Sequence, residues 1–198
     1  MNRIPKPKYL GPQYGGQFRD RSVAAAYLHR PPYSPELFDT LESLIHSEPR
    51  LVLDIGCGTG EIAVPLAERV ERGVAGDPYE AMLRMARSRP GWDRANIRWV
   101  CESAEDFEYS EQYSLIVAGA SLHWMDWYVV LPKMRFSLQE NAFLATCGGR
   151  QEGSTLPWLH ALRKIIPRYS TNREFQPYDL IDELERRSLF EVIGRKRT

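Results

Sequence analysis

The segment Leu53-Asp54-Ile55-Gly56-Cys57-Gly58-Thr59-Gly60-Glu61 sets three glycines at alternate positions directly behind a short apolar run that begins at Leu51. A run of that length ending at glycines predicts a strand buried on both faces of a parallel sheet. Glycines spaced in this way let the chain turn sharply and let a ligand lie against main chain, where a β-carbon would collide. A tight turn that holds no ligand is the plainer alternative. Helical character resumes at Glu61 and runs to Arg69.

The rest of the chain repeats that alternation. Short strands are predicted at Gly73–Gly76, Ile97–Cys101, Leu115–Ala118 and Ala142–Cys147. Helices are predicted between them at Pro78–Ser88 and Trp127–Leu138. Strands separated by helical segments indicate an α/β fold, a doubly wound and mainly parallel sheet. Ahead of it, residues 1–17 are rich in Pro, Gly and Tyr and form an irregular arm. A helical stretch at Arg19–Leu28 and a helix opened by Ser34-Pro35-Glu36 and closing near Ser47 complete the N-terminal part. Behind the fifth strand, helices at Leu156–Ile166 and Tyr178–Ser188 leave room at Phe190–Thr198 for one more strand, a shortened C-terminal end. The expected organisation is one domain over 1–198, with arm and leading helix at 1–48, a core at 49–150 and a C-terminal segment at 151–198.

Acidic and basic residues balance at 26 each, so no overall field draws the chain to nucleic acid or to a membrane surface. No apolar run reaches the roughly 20 residues of a membrane helix. Cys57, Cys101 and Cys147 are too few and too far apart for a disulfide framework or a CxxC metal site, and no metal is expected. These features predict a cytoplasmic protein with a small molecule as its partner; a monomer or homodimer is expected, although no feature of the chain fixes the oligomeric state.

Asp77 ends the second predicted strand, where a carboxylate can accept two hydrogen bonds from a ribose diol. As a residue before Pro78 it also suits a helix cap or a turn. The glycine spacing, Gly56-x-Gly58-x-Gly60, departs from the GxGxxG of dinucleotide sites and argues against a nicotinamide oxidoreductase.

The stretches LVLDIGCGTGE, GVAGDPYEAML, VCESAEDF and YSLIVAGASLHWMDW, in this order over residues 51–127, resemble the class I S-adenosylmethionine-dependent methyltransferase family. YLHRPPYSPELFDTL is similar to the leading helix of its small-molecule branch, which includes enzymes like trans-aconitate methyltransferase. The resemblance implies a Rossmann-like methyltransferase fold, S-adenosyl-L-methionine as cofactor, and methyl transfer to a small organic acceptor: a carboxylate, a hydroxyl or an activated carbon. It further implies that Asp54 and the backbone of Gly56, Cys57, Gly58 and Gly60 hold the amino-acid end of the cofactor, and Asp77 the ribose. Tyr79 and Met82 would pack on the adenine, although their helical spacing alone fits simple core. Ser103, Ala104 and Glu105 occupy the positions of the adenine edge, with Ser103 where an Asp often stands. Ser114 replaces another frequent Asp and would remove a charge on the cofactor side.

Ala118 to His123 lies beyond a strand's carboxyl end, where open α/β sheets bind ligands, so Ala118 is a cofactor candidate and His123 the candidate catalytic base. The alternative for His123 is a ring stacked on Trp124 in the core. Trp124, Met125 and Trp127 supply apolar surface for a pocket or for the core, with Trp124 the acceptor candidate. Tyr14, Phe18, Tyr27 and Arg30 lie in the arm, and in the resembling enzymes that region closes the site. Tyr14, Tyr27 and Arg30 are acceptor candidates, Arg30 because its planar fork suits a carboxylate. A shortened C-terminus also fits a different class of function, a methyltransferase-like protein that binds the cofactor but is inactive or regulatory.

Overall fold

Leu51, Val52, Leu53 and Ile55 are all buried although alternate residues of a strand face opposite ways, which requires cover on both sides. The computed structural model describes residues 4–148, 157–170, 172–174, 176, 178–188 and 190–196. This strand, β1 (Leu51–Ile55), lies at the centre of one sheet with β2 (Arg72–Gly76), β3 (Ile97–Val100), β4 (Tyr113–Gly119) and β5 (Leu138–Cys147). The order is β3-β2-β1-β4-β5, and every neighbouring pair is parallel. The helices are α1 (Pro12–Gly15), α2 (Arg21–Ala26), α3 (Pro35–Ser43), α4 (Ala63–Leu66), α5 (Glu80–Ala86), α6 (Trp127–Ser137), α7 (Pro157–Tyr169) and α8 (Leu180–Glu185).

Two apolar clusters cover the two sides of the sheet. Leu53 and Ile55 of β1 join Ile116 and Ala118 of β4 and pack with Trp127, Leu131 and Met134 of α6. Val52, Leu115 and Val117 pack with Phe38 and Leu41 of α3 and with Ile62 and Leu66. The strand order therefore reverses at β1, between β2 and β4. The crevice outside the carboxyl ends of such strands is where ligands of open α/β sheets bind.

Several boundaries differ from the sequence reading. Helix α4 covers only Ala63–Leu66, and Pro65 inside it brings no backbone N–H to extend the ladder. Strand β4 begins at Tyr113, because Tyr113 and Ser114 are both fully buried and Ser114 Oγ donates to Leu51 O at 2.9 Å. That bond ties the amino ends of two strands together, so Ser114 is at the opposite end of the sheet from the glycine loop and its missing charge does not concern the ligand. Strand β5 begins at Leu138, crossing a local irregularity at Asn141, where φ is +60°. Among the described residues β5 is an edge, paired to β4 alone. No strand forms over 190–196, contrary to the expected sixth strand. The expected limits at Met1, Leu156 and Thr198 lie outside the described residues.

Candidate functional site

The glycine loop is built by its backbone. Gly56, Gly58 and Gly60 have φ of +70°, +57° and +81°, the left-handed region that a side chain disfavours. A β-carbon on Gly56 would run into Ser121, whereas one on Gly58 would meet only the end of Met82. The amides of Gly56 and Cys57 both donate to Gly76 O, at 2.7 and 3.0 Å, which fastens the loop to the end of β2. Asp77 fastens it further. Gly58 N donates to Asp77 Oδ2 and Tyr79 N to Asp77 Oδ1, each at 2.9 Å.

Asp54 is the unusual group. It is 3% exposed, and neither carboxylate oxygen has a hydrogen-bond partner among the described residues. Burial pushes its carboxyl up to about 7; the Ala63 N–H works against that without closing a hydrogen bond, and the negative charges of Glu61 and Asp77 add to it. Burial also pushes Asp77 up to about 6, opposed by its two amide donors. Two buried acids thus stand at the ends of adjacent strands, one satisfied and one not.

Both face a cavity of about 1490 Å³. Its floor includes Asp54, Gly56, Cys57, Gly58 and Asp77. Tyr79 and Met82 form an apolar side, and Ser103, Ala104 and Glu105 continue it behind β3. The Ser103 hydroxyl is engaged locally, donating to Asp106 Oδ2 at 2.7 Å and accepting from Asp106 N at 3.1 Å. The arm supplies the opposite wall with Tyr27 and Arg30, the guanidinium lying 4.9 Å from the Tyr27 ring centre. Phe18 stacks edge-on to Trp124 at 6.2 Å, and both line the cavity.

Four expectations are corrected by this geometry, and one open alternative, that for Trp127, is decided. Gly60 does not line the cavity; a β-carbon there would stand 2.8 Å from the Trp99 ring, so its glycine serves packing against β3. Ala118 is closed inside the sheet, and the wall begins one residue later at Gly119, Ala120 and Ser121. Tyr14 is absent from the wall. Trp127 is 0% exposed and donates from Nε1 to Leu122 O at 2.7 Å, which makes it core. His123 also stands off the wall, because the turn at Leu122–Trp124 rotates it away. Its ring lies 4.4 Å from Trp124 and 6.3 Å from Tyr178, and burial together with the charge of Lys6 lowers its pKa to about 4.

The wall also holds residues that the motifs did not single out. Tyr33 reaches the end of β4, its hydroxyl 3.2 Å from where a β-carbon on Gly119 would be, and burial pushes it up to about 12. Lys6 and Tyr128 close another side, and Ser121 Oγ donates to Ile55 O at 2.7 Å. The Pro-Pro-Tyr context of Tyr33 and the place of Ser121 just past β4 gave local hints. The others depend on contacts made across the whole chain.

Residues 52–141 match the methyltransferase domain family. Over that stretch the chain is similar to S-adenosylmethionine-dependent methyltransferases. A Dictyostelium discoideum protein named as a methyltransferase is 25% identical over 164 residues, which is 82% of this chain and 54% of that protein. A malonyl-[acyl-carrier protein] O-methyltransferase of Acetivibrio thermocellus is 32% identical over 113 residues, 55% of this chain and 38% of the enzyme. The chain therefore spans about half of the first relative's length and less of the second's. Among solved structures, an Anaeromyxobacter dehalogenans protein described as a type II methyltransferase superposes with a TM-score of 0.58 at 25% identity, covering 85% of this chain and 69% of that one.

The site fits the family's cofactor, S-adenosyl-L-methionine. An unpartnered buried carboxylate, Asp54, suits an ammonium group, and a φ-positive glycine cradle leaves room beside it. Asp77 offers acceptors for a ribose diol, and Tyr79 with Met82 offers a flat apolar surface to a purine.

Proposed function

We propose that this chain transfers a methyl group from S-adenosyl-L-methionine to a small organic acceptor, with a carboxylate ahead of a hydroxyl or an activated carbon. The observation that carries the reading is Asp54, a buried carboxylate facing the cavity with both oxygens unpaired. Such a group is costly to ionise unless a cation arrives to meet it. When bound, the cofactor supplies an electrophilic methyl on a sulfonium, whose displacement leaves a neutral thioether. The chain's own task is then to place and dry the reactants. Asp54 and Asp77 fix the two ends of the nucleoside–amino-acid ligand, and Tyr79 and Met82 hold the base between them. Phe18, Trp124 and Tyr33 exclude water from the exchange region.

The preference for a carboxylate comes from what lines the wall. His123 is off it, while Tyr27 and Tyr33 hold their protons firmly because burial raises both. An acceptor that arrives already ionised needs no base. The reading extends to a cytoplasmic protein, monomeric or homodimeric, with no nucleic-acid partner; among the described residues no helix is long and apolar enough to cross a membrane.

Calorimetric titration of the full chain with S-adenosylmethionine, S-adenosylhomocysteine and NAD in parallel tests the reading. Micromolar binding of the first two and none of NAD is expected. A folded chain that binds none of them sinks it, and NAD binding alone would move the site to a different chemistry.

A further inference from the structure

The geometry points to Arg187 as a positioning residue: a buried guanidinium that clamps the N-terminal arm against the cavity and so sets how readily the arm opens for ligand. The Arg187 side chain is 0% exposed and lies just behind α8. Its Nη2 donates to Pro5 O at 2.6 Å and its Nε to Ile4 O at 3.3 Å. Its Nη1 donates to Glu183 O at 2.7 Å and to Glu183 Oε2 at 2.6 Å. The planar fork thus bridges two segments that are 182 positions apart in sequence. Arg187 does not touch the cavity itself, but Pro5, Lys6, Pro7 and Lys8 form one of its walls.

Segment 4–7 lies outside the strands and helices, and Pro5 and Pro7 bring no amide donors; Pro7 O accepts from Leu10 N at 3.0 Å, whereas Ile4 O and Pro5 O have no such local donor among the described residues. It is held instead by side chains from elsewhere. Tyr128 Oη donates to Ile4 O at 2.7 Å, and Lys6 Nζ donates to Met125 O at 2.8 Å. Asn172 Nδ2 donates to Tyr9 O at 2.8 Å, a second tie to the C-terminal segment. Lys6 and Arg187 both lie over the Trp127 ring, at 5.0 and 5.1 Å from its centre. Two cations on one indole repel each other, and the carboxylates of Glu105 and Asp126 face Lys6 to offset this. The arm is therefore fastened at a few strong points over a repulsive pair, an arrangement that opens as a unit when one point is lost.

The clamp stands on the contacts alone, whereas its control of ligand rests on the proposed cofactor reading. Hydrogen exchange of the ligand-free full chain tests the first part. Arg187→Ala is expected to raise exchange at the Leu10 and Gly11 amides, which donate to Pro7 O and Lys8 O, by about tenfold while β1 and β4 stay protected. Arg187→Lys, which keeps the charge on Trp127 but not the fork, is expected to fall between that variant and the parent. If Arg187→Ala does not fold, Arg187→Lys and Tyr128→Phe carry the test with the same readout. Unchanged arm exchange in the folded variants overturns the clamp. For the second part, S-adenosylhomocysteine should leave Arg187→Ala about fivefold faster with a smaller change in its association rate. Faster arm exchange with an unaltered dissociation rate would overturn the positioning role. A parent chain that binds no S-adenosylhomocysteine would count against the cofactor reading, and the exchange result would still decide the clamp.

Discussion

The loop that joins β1 to α4 and the arm over it face the same cavity, but they are held by bonds of different reach. The loop is fixed by neighbours: glycines in their own left-handed wells, the Gly76 carbonyl and the Asp77 carboxylate, all within 51–77. The arm is fixed by Tyr128, Asn172 and Arg187, each more than a hundred positions away. A short-range frame can hold an unfavourable charge in place, as it does Asp54, since the strands around it do not yield. A long-range frame made of a few side chains can give way and re-form. On the proposed reading, the contrast would give recognition to the floor and access to the arm.

The strongest way to break that contrast is Asp54→Asn. It should weaken S-adenosylmethionine binding by about a hundredfold, the scale of losing a charged hydrogen-bonding partner. It should at the same time raise the melting temperature of the ligand-free chain near neutral pH, because an uncompensated buried charge is gone. The parent chain should show the same cost as a pH effect. Asp54 and Asp77 both titrate above the ordinary value of 3.8, so in the folded state each holds its proton longer than in the unfolded state. Their favourable contribution is complete below that value and is lost as pH rises through about 6 for Asp77 and about 7 for Asp54. Melting without ligand, measured across that window, should fall with rising pH, and Asp54→Asn should flatten the upper part of the slope. A variant that is both less stable and unchanged in binding would place the floor's function elsewhere.

Asp77→Ala sharpens the comparison from the other side, since Asp77 already has partners. It removes the acceptor of Gly58 N and Tyr79 N as well as the expected ribose contact. Cofactor binding should weaken by more than about tenfold. Unlike Asp54→Asn it should also destabilise the chain, by about 1–3 kcal/mol, because two amide donors lose their acceptor. Denaturant unfolding beside calorimetry separates the two effects, and an unchanged dissociation constant would remove Asp77 from the site.

The same difference in reach explains what the sequence disclosed. The floor was legible because its causes are local: an apolar run that stops at glycines, then an acid at the end of the next strand. Even there, position in the motif misled for Gly60, whose glycine answers to Trp99 of β3 and not to a ligand. Strand β5 was placed four residues late because Gln139, Glu140 and Asn141 resemble a turn, while pairing to β4 carries the strand through them. Lys6, Tyr128 and Arg187 left no local signal, since the contact of Arg187 with Pro5 crosses nearly the entire chain. An arm that depends on distant side chains can be read only after the fold is known.

His123 lies where the two regions meet, and the smallest effect is expected there. Sequence position put it just past the end of β4, but the turn at Leu122–Trp124 directs its ring onto Trp124 and Tyr178 and away from the cavity. With its pKa lowered to about 4 it carries no charge near neutrality, so a flat apolar ring can replace it without loss of an ion. His123→Phe should therefore keep the stacking and leave S-adenosylmethionine affinity and turnover on an ionised acceptor within about twofold, the scatter of a conservative substitution. A drop in kcat of tenfold or more, joined to loss of the acidic limb of its pH profile, would return His123 to the chemistry as a base. It would also mean that the arm and the Leu122–Trp124 turn rearrange when ligand enters, because the ring here packs on Trp124 and Tyr178 off the cavity wall.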